Sequence, residues 1–273
     1  MVNFSLMPKP IIAFDMDGTL LDDSGHMRPQ DKEILLNCRD AVFIVASGRQ
    51  RFSIRQTFIE NGLYVDEPLP FPLAMANGGI IYGGGEELLE ASGFELEMQE
   101  KLLQIADGLE GIPYAVHGVD CVLTPKRTKL NEAMEVYYKI KVAKKNITDE
   151  DHKTPWIKFL FFSEYLPDLQ RAERAFSGLA VATCYSSPVL FEINPLGVNK
   201  GEALHRLQKH LGMEDSPLFT AGDGGNDVPM LKEARVSFAP VSASQEAKAA
   251  ADVIIDTDKY GLLGPMLGRA LKF

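Results

Sequence analysis

The sequence predicts an α/β fold: a Rossmann-like, doubly wound parallel sheet core with an inserted α+β domain. Three observations predict it. Apolar runs alternate with helical stretches across residues 1–82 and again across 193–273, as a parallel sheet with helices on both faces requires. The stretch between them, 83–192, opens on Gly83-Gly84-Gly85 and follows a different order of elements. The 45% apolar content is spread along all 273 residues, enough to bury a sizeable core in one large domain or two smaller ones.

Taken in order, the apolar run Pro10-Ile11-Ile12-Ala13-Phe14 predicts a buried strand over Ile11–Asp15. Pro29–Arg39 reads as a helix. Ala41–Ala46 is a strand rich in β-branched residues that ends in Ser47-Gly48-Arg49. Phe52–Asn61 reads as a helix stopped by Gly62. Leu73–Ala76 and Ile80–Tyr82 flank the turn Asn77-Gly78-Gly79. No Lys-Ser or Lys-Thr follows the glycine run at 83–85, so it is read as a linker and domain boundary, not as a phosphate loop.

In the insert, Phe94–Ala106, Leu130–Ile140 and Leu166–Phe176 read as helices. Tyr114–His117 with Cys121–Thr124, and Leu179–Tyr185 with Val189–Ile193, read as hairpins, and Trp156–Ser163 as a strong strand. That order suggests a sheet with helices on one face. After Asn194-Pro195-Leu196-Gly197 the alternation resumes: helices at Lys200–Leu211, Val228–Ala234, Gln245–Ala251 and Leu262–Leu271, strands at Leu218–Ala221, Val236–Ala239 and Val253–Ile255.

Composition narrows the function. A net charge of −10 argues against non-specific binding to nucleic acid or an anionic membrane. It leaves room for a small anionic substrate, because a site's local field can oppose the net charge. The three widely spaced cysteines form no CxxC pair and suit a reducing compartment better than a disulfide framework. There is no signal-peptide pattern and no apolar run of about 18 residues. A soluble cytoplasmic protein is expected. The sequence leaves oligomeric state open.

Four motifs carry chemistry. In Asp15-Met16-Asp17-Gly18 two carboxylates follow a buried strand two residues apart, so they can converge on one side of it. Close carboxylates repel unless a cation or a shared proton relieves them. Ser47-Gly48 puts a hydroxyl and amides at the end of the next strand, where they could hold a phosphate oxygen. Lys200 opens a helix, where the dipole disfavours a cation unless an anion lies opposite, and its compact ammonium suits phosphate or Asp15. In Gly222-Asp223-Gly224-Gly225-Asn226-Asp227 a strand delivers Asp223, and Asn226 and Asp227 stand at the next helix start. Each motif has an ordinary explanation: Asp-Gly turns, serine caps, surface lysines and Asn or Asp caps are common. Together and in this order, each at a strand end where open α/β sheets bind ligands, they point to one site.

DMDGTL, a hydroxyl followed by Gly-Arg, a lone Lys at a helix start and GDGGND, in that order, resemble the haloacid dehalogenase superfamily of phosphohydrolases. The place of the insert resembles the subgroup with a C2 (IIB) cap. Asn77-Gly78-Gly79 and Phe191-Glu192-Ile193-Asn194-Pro195 look like its Cof-type branch. The resemblance covers essentially the whole chain. It implies a Mg²⁺-dependent phosphatase for small phosphorylated metabolites, sugar phosphates foremost. By resemblance Asp15 is the nucleophile that forms an aspartyl-phosphate, and Asp17 is the general acid and then base. Mg²⁺ would be held by Asp15, the Asp17 carbonyl and Asp223, with Asp227 in or near that shell. Ser47, Gly48, Lys200 and Asn226 would hold the phosphoryl group, while Arg49 would orient its loop and not touch substrate. His117, Asp120 and Arg127 are the polar candidates in the cap, each with a solvated loop role as the plainer alternative. Three rival functions remain: a phosphomutase of the same superfamily, a metal–nucleotide glycosyltransferase, which leaves Lys200 and Asp223 unexplained, and a non-enzymatic sensor of phosphorylated metabolites.

Overall fold

The computed structural model describes residues 8–119, 121–124, 132, 135, 136, 142–144 and 155–272. The chain begins with β1 (Ile11–Phe14), α1 (Pro29–Asn37), β2 (Val42–Ala46), α2 (Arg51–Glu60), β3 (Leu73–Met75), β4 (Ile80–Tyr82) and β5 (Leu88–Ala91). The insert follows with α3 (Leu96–Gly108), β6 (Tyr114–His117), β7 (Val122–Thr124), β8 (Val142–Lys144), β9 (Lys158–Phe162), α4 (Leu166–Phe176), β10 (Val181–Ser187) and β11 (Leu190–Pro195). The chain returns through α5 (Lys200–Leu211), β12 (Leu218–Ala221), α6 (Val228–Glu233), β13 (Val236–Pro240), α7 (Gln245–Ala250), β14 (Val253–Ile255), α8 (Thr257–Tyr260) and α9 (Leu263–Ala270).

Two sheets result. The core sheet has eight strands in the order β14-β13-β12-β1-β2-β3-β4-β5. Pairs from β14 through β3 are parallel; β3–β4 and β4–β5 are antiparallel. Every residue of β1 is fully buried, as a strand covered on both faces must be. Its alternate side chains serve two cores. Ile12 and Phe14 pack with Leu35 of α1, Phe58 of α2 and Met266 of α9. Ile11 and Ala13 pack with Ala203, Leu204 and Leu207 of α5 on the opposite face. That two-sided cover is the expected double winding.

The insert's sheet has six strands in the order β10-β11-β9-β6-β7-β8, antiparallel except for β7–β8. Strand alternation gives its faces opposite characters. Phe159, Phe161, Phe191 and Ile193 join an aromatic core with Leu102 of α3 and Leu169 and Phe176 of α4. Lys158, Leu160, Phe162, Leu190 and Glu192 look the other way, onto a cavity shared with the core.

Several expectations need correction. The glycine run at 83–85 is a turn within the core sheet, because β5 pairs with β4, and the amide of Gly83 donates to Glu87 O at 2.8 Å. The sheets therefore change over between Ala91 and Leu96, not at residue 83, and β11 runs past 193 to Pro195. Asn77-Gly78 turns the chain straight back, so β4 runs against β3 instead of extending the parallel series. Strand β8 and helix α8 carried too little apolar pattern to be anticipated. The helix expected over Leu130–Ile140 falls largely outside the described residues. Among the described residues no helix is long and apolar enough to cross a membrane.

Candidate active site

The site lies at the carboxyl ends of β1, β2 and β12. β1 is the middle of the three, and the Asp15 amide donates to Ala221 O at 2.9 Å, prolonging the β1–β12 ladder by one residue. Beyond Asp15 the strand gives way to an irregular turn, Met16–Leu20, in which Asp17 keeps an extended backbone, φ −72° and ψ 126°. Gly18 makes that turn with φ +70°, and a Cβ there would stand 2.6 Å from Asp223 Oδ2. Only glycine fits both the left-handed backbone and the close approach. Thr19 Oγ1 donates to Asp223 Oδ1 at 3.0 Å, locking the two loops together.

Lys200 is fully buried at the start of α5, behind Asn199, whose Oδ1 caps the helix by accepting from the Glu202 amide. Its Nζ donates to Asp15 Oδ1 at 2.7 Å and to Asp227 Oδ1 at 2.5 Å. Burial alone would lower the ammonium's pKa, but the two carboxylates outweigh it and hold the proton on. Asp227 accepts on its other oxygen from the amides of Asp223 and Gly224, both at 2.9 Å. Both of its oxygens are thus committed to structure.

One cation does not neutralise three carboxylates. Burial, with the charges of Asp227, Asp223 and Asp17, raises the Asp15 carboxyl well above its usual range, although Lys200 pulls it down. Burial and then Asp227 push Asp223 up to about 6, against the Thr19 hydrogen bond and Lys200. One oxygen each from Asp15, Asp223 and Asp227 lie within 4.8 Å of one another. A hard divalent cation at about 2.0–2.6 Å from oxygen could span that gap, and an all-oxygen donor set selects such an ion. The residues present therefore fit a hard divalent cation such as Mg²⁺.

Asp17 stands at the edge of the cavity in a two-pronged pair with Arg49: Nε to Oδ2 at 2.7 Å and Nη2 to Oδ1 at 2.5 Å. Arg49 also donates to Thr57 Oγ1 at 2.8 Å. It also lines the cavity, and through Asp17 it ties its own loop to the turn after β1. Gly48 and Asn226 line the cavity too, whereas Ser47 is buried beneath it, its Oγ accepting from the Arg49 amide at 3.2 Å.

The cavity measures about 290 Å³. Its floor is Asp15, Asp17, Asp223 and Asn226; its roof is the insert's polar and apolar face, with Lys158, Leu160, Ser186 and Glu192. Lys158 and Glu192 had not been singled out for the site. A lone Lys within Trp156-Ile157-Lys158-Phe159-Leu160 and a lone Glu within Leu190-Phe191-Glu192-Ile193 were the available signal: buried charges are rare unless paired. They are paired, Nζ to Oε1 at 3.0 Å. His117 lines the roof, where burial and then the Lys158 ammonium hold its pKa well below the usual histidine range. Asp120 and Arg127 lie outside the described residues.

Residues 12–261 match the haloacid dehalogenase-like hydrolase family. The chain belongs to that family. With membership comes the expected class, a phosphoric monoester hydrolase of the Cof type, and the expected fold. Among relatives of this hydrolase, the 5-amino-6-(5-phospho-D-ribitylamino)uracil phosphatase YcsE of Bacillus subtilis is 29% identical over 91% of this chain and 90% of its own length. The HMP-PP phosphatase of Serratia proteamaculans is 25% identical over 81% and 80%. A solved haloacid dehalogenase-like hydrolase from B. subtilis superposes with a TM-score of 0.81 at 23% identity, covering 94% of this chain and 98% of the other. The subclass IIB sugar phosphatase BT4131 superposes at 0.77 and 18%, covering 96% and 99%. These two structures speak for the fold.

Proposed function

We propose that this hydrolase is a Mg²⁺-dependent phosphatase that cleaves phosphate monoesters of small metabolites, sugar phosphates foremost, through an aspartyl-phosphate on Asp15. One observation carries the reading: a buried ammonium, Lys200, braces Asp15 beneath a cavity whose floor also holds Asp223. A cavity of about 290 Å³ suits a small leaving group, since sites for drug-sized molecules run from about 300 to 1,000 Å³. The activities for which the relatives are named are phosphate removals from compact polar molecules.

In this mechanism the free Asp15 carboxylate oxygen attacks phosphorus while the bond to the leaving alcohol breaks. Asp17 gives its proton to the departing oxygen. It then takes a proton from water, whose oxygen displaces Asp15 from phosphorus and releases inorganic phosphate. The Arg49 fork holds Asp17 at the cavity edge through both carboxylate oxygens, so acid catalysis requires Asp17 to turn one oxygen out of the fork to carry the proton to the leaving group. Lys200 holds Asp15 in line and offsets part of the local negative charge. The Gly48 amide and Asn226 Nδ2 hold the equatorial phosphoryl oxygens, with Ser47 bracing the loop. Asp15, Asp223 and the Asp17 carbonyl, with Asp227 behind them, would hold Mg²⁺, which when bound would supply charge neutralisation to the phosphoryl group.

The test is phosphate release across a library of phosphorylated metabolites. Turnover is expected with Mg²⁺, is expected to stop with EDTA and to return on adding Mg²⁺. Asp15→Asn is expected to lower turnover at least about a thousandfold with the fold intact. Wild-type rates in that variant would overturn the nucleophile, and a metal-independent rate would overturn the role of Asp223.

A further inference from the structure

Asn77 and the residue before it are the buried, strained point of the core. Ala76 and Asn77 both have left-handed backbones, φ +49° and +58°, although neither is glycine. Both are buried. Strain of this kind persists only where the surroundings enforce it. Here it aims one carboxamide at two partners. Asn77 Oδ1 accepts from Asn226 Nδ2 at 3.1 Å, and Asn77 Nδ2 donates to Glu192 Oε2. Glu192, itself 3% exposed, also accepts on Oε1 from Lys158 Nζ at 3.0 Å and from Ser186 Oγ at 2.8 Å. Lys158, 1% exposed, reaches back across the cavity to donate to Gly48 O at 3.1 Å.

The connections form a bridge. Two core loops carry the groups given to the phosphoryl oxygens above, Gly48 and Asn226. Two insert strands, β9 and β11, carry Lys158 and Glu192. Asn77 joins Glu192 to Asn226; Lys158 joins Glu192 to Gly48. We propose that Asn77, Glu192 and Lys158 are positioning residues that set the Gly48 amide and Asn226 for the phosphoryl group only while the insert lies against the core. None of the three needs to touch the reacting atoms. The proposal rests on the phosphatase reading for the identity of the group held at Gly48 and Asn226. Its physical basis is that the buried Lys–Glu pair, which keeps Ser186 within the insert, draws its other partners, Asn77 and Gly48, from the core and is fully satisfied only in the closed arrangement. Lifting the insert strips Glu192 of Asn77 and Lys158 of Gly48 at once, and releases both phosphoryl-holding groups.

Two variants test it, each measured for inorganic phosphate affinity by calorimetry with Mg²⁺, for p-nitrophenyl phosphate turnover and for Tm. Asn77→Gly keeps the left-handed backbone without strain and removes the carboxamide, leaving Glu192 Oε2 one donor short, so it should fold with a modestly lowered Tm. Glu192→Gln keeps the shape and removes the charge. Both are expected to weaken phosphate binding and lower kcat/KM about tenfold, the size of one charge-assisted hydrogen bond. Wild-type affinity and turnover in Asn77→Gly would overturn the proposal, as would losses in Glu192→Gln that only follow a fall in Tm. If the wild type binds phosphate but releases none from p-nitrophenyl phosphate or from any metabolite of the library, the proposed phosphatase reading falls, and the phosphate affinities of the two variants still decide this one.

Discussion

The two sheets bury very different material at comparable depth. At the strand ends of the core, Asp15, Asp227 and Lys200 are packed together with almost no solvent contact. On the helix-covered face of the insert, Trp156, Phe159, Phe161, Phe176 and Phe191 fill the same kind of space with rings packed among aliphatic side chains. Phe159 touches Phe94, Tyr114 and Trp156 at centroid distances of 5.5–6.3 Å. The insert's ring cluster needs only shape and water exclusion. The core's charge cluster is satisfied by particular partners, and removing one strands the others. The active site was built where stability is most sensitive to protonation, and the ring cluster behind its roof rests on packing instead.

Substitutions can break that contrast. The largest stability effect is expected for Lys200→Met, which leaves two buried carboxylates facing each other and should cost about 3–5 kcal/mol. The loss should shrink as pH is lowered, because protonating the stranded carboxylates relieves them. Urea unfolding at pH 5 and pH 8 reads both the size and the sign; a pH-independent loss would mean the cluster is not electrostatic in origin. Phe159→Ala should cost a similar or smaller amount, about 3–5 kcal/mol from transfer and cavity terms, and its urea midpoint should fall equally at both pH values. A pH-dependent loss there would erase the distinction between the sheets.

The smallest expected effect sharpens the comparison within the core itself. Glu86 sits in the turn before β5 and pairs with Arg51 at 2.8 Å and Arg55 at 2.7 Å of α2. Burial pushes its carboxyl up, but the hydrogen bonds from both arginines and the Leu69 amide outweigh that and hold it below the usual glutamate range. A lowered folded pKa stabilises above the unfolded value of about 4.3 and is lost as pH falls through the folded one. Glu86→Gln should therefore lower Tm by about 2–4 °C near pH 7, equivalent to about 1 kcal/mol. The gap between variant and wild type should close toward pH 3. A constant gap across that range would place the contribution in packing instead of charge.

Much of the core was legible because its motifs sit where the pattern breaks. Asp15, Ser47 and Asp223 each follow an apolar run, and Lys200 follows a helix cap, so strand ends and helix starts announced them. Most of the insert's strands were legible for the same reason, β8 excepted. The bridge of Lys158, Glu192 and Asn77 was not. Lys158 and Glu192 are 34 residues apart, and Lys158 finds Gly48 110 residues away. Nothing local distinguishes a paired buried lysine from an edge lysine on the same strand. The glycine run at 83–85 misled because a tight hairpin turn and a flexible linker draw on the same residue.

By itself the sequence determined the α/β class, the family and the residues at each strand's carboxyl end, because periodicity and turn chemistry act over a few neighbouring residues. Tertiary structure alone decided that β5 belongs to the core, that Arg49 grips Asp17, that both oxygens of Asp227 are already spent, and that the insert's two charged side chains join hands over the site. Those outcomes depend on which surfaces meet after the chain has folded back on itself, and Coulomb and hydrogen-bond partners are chosen only then.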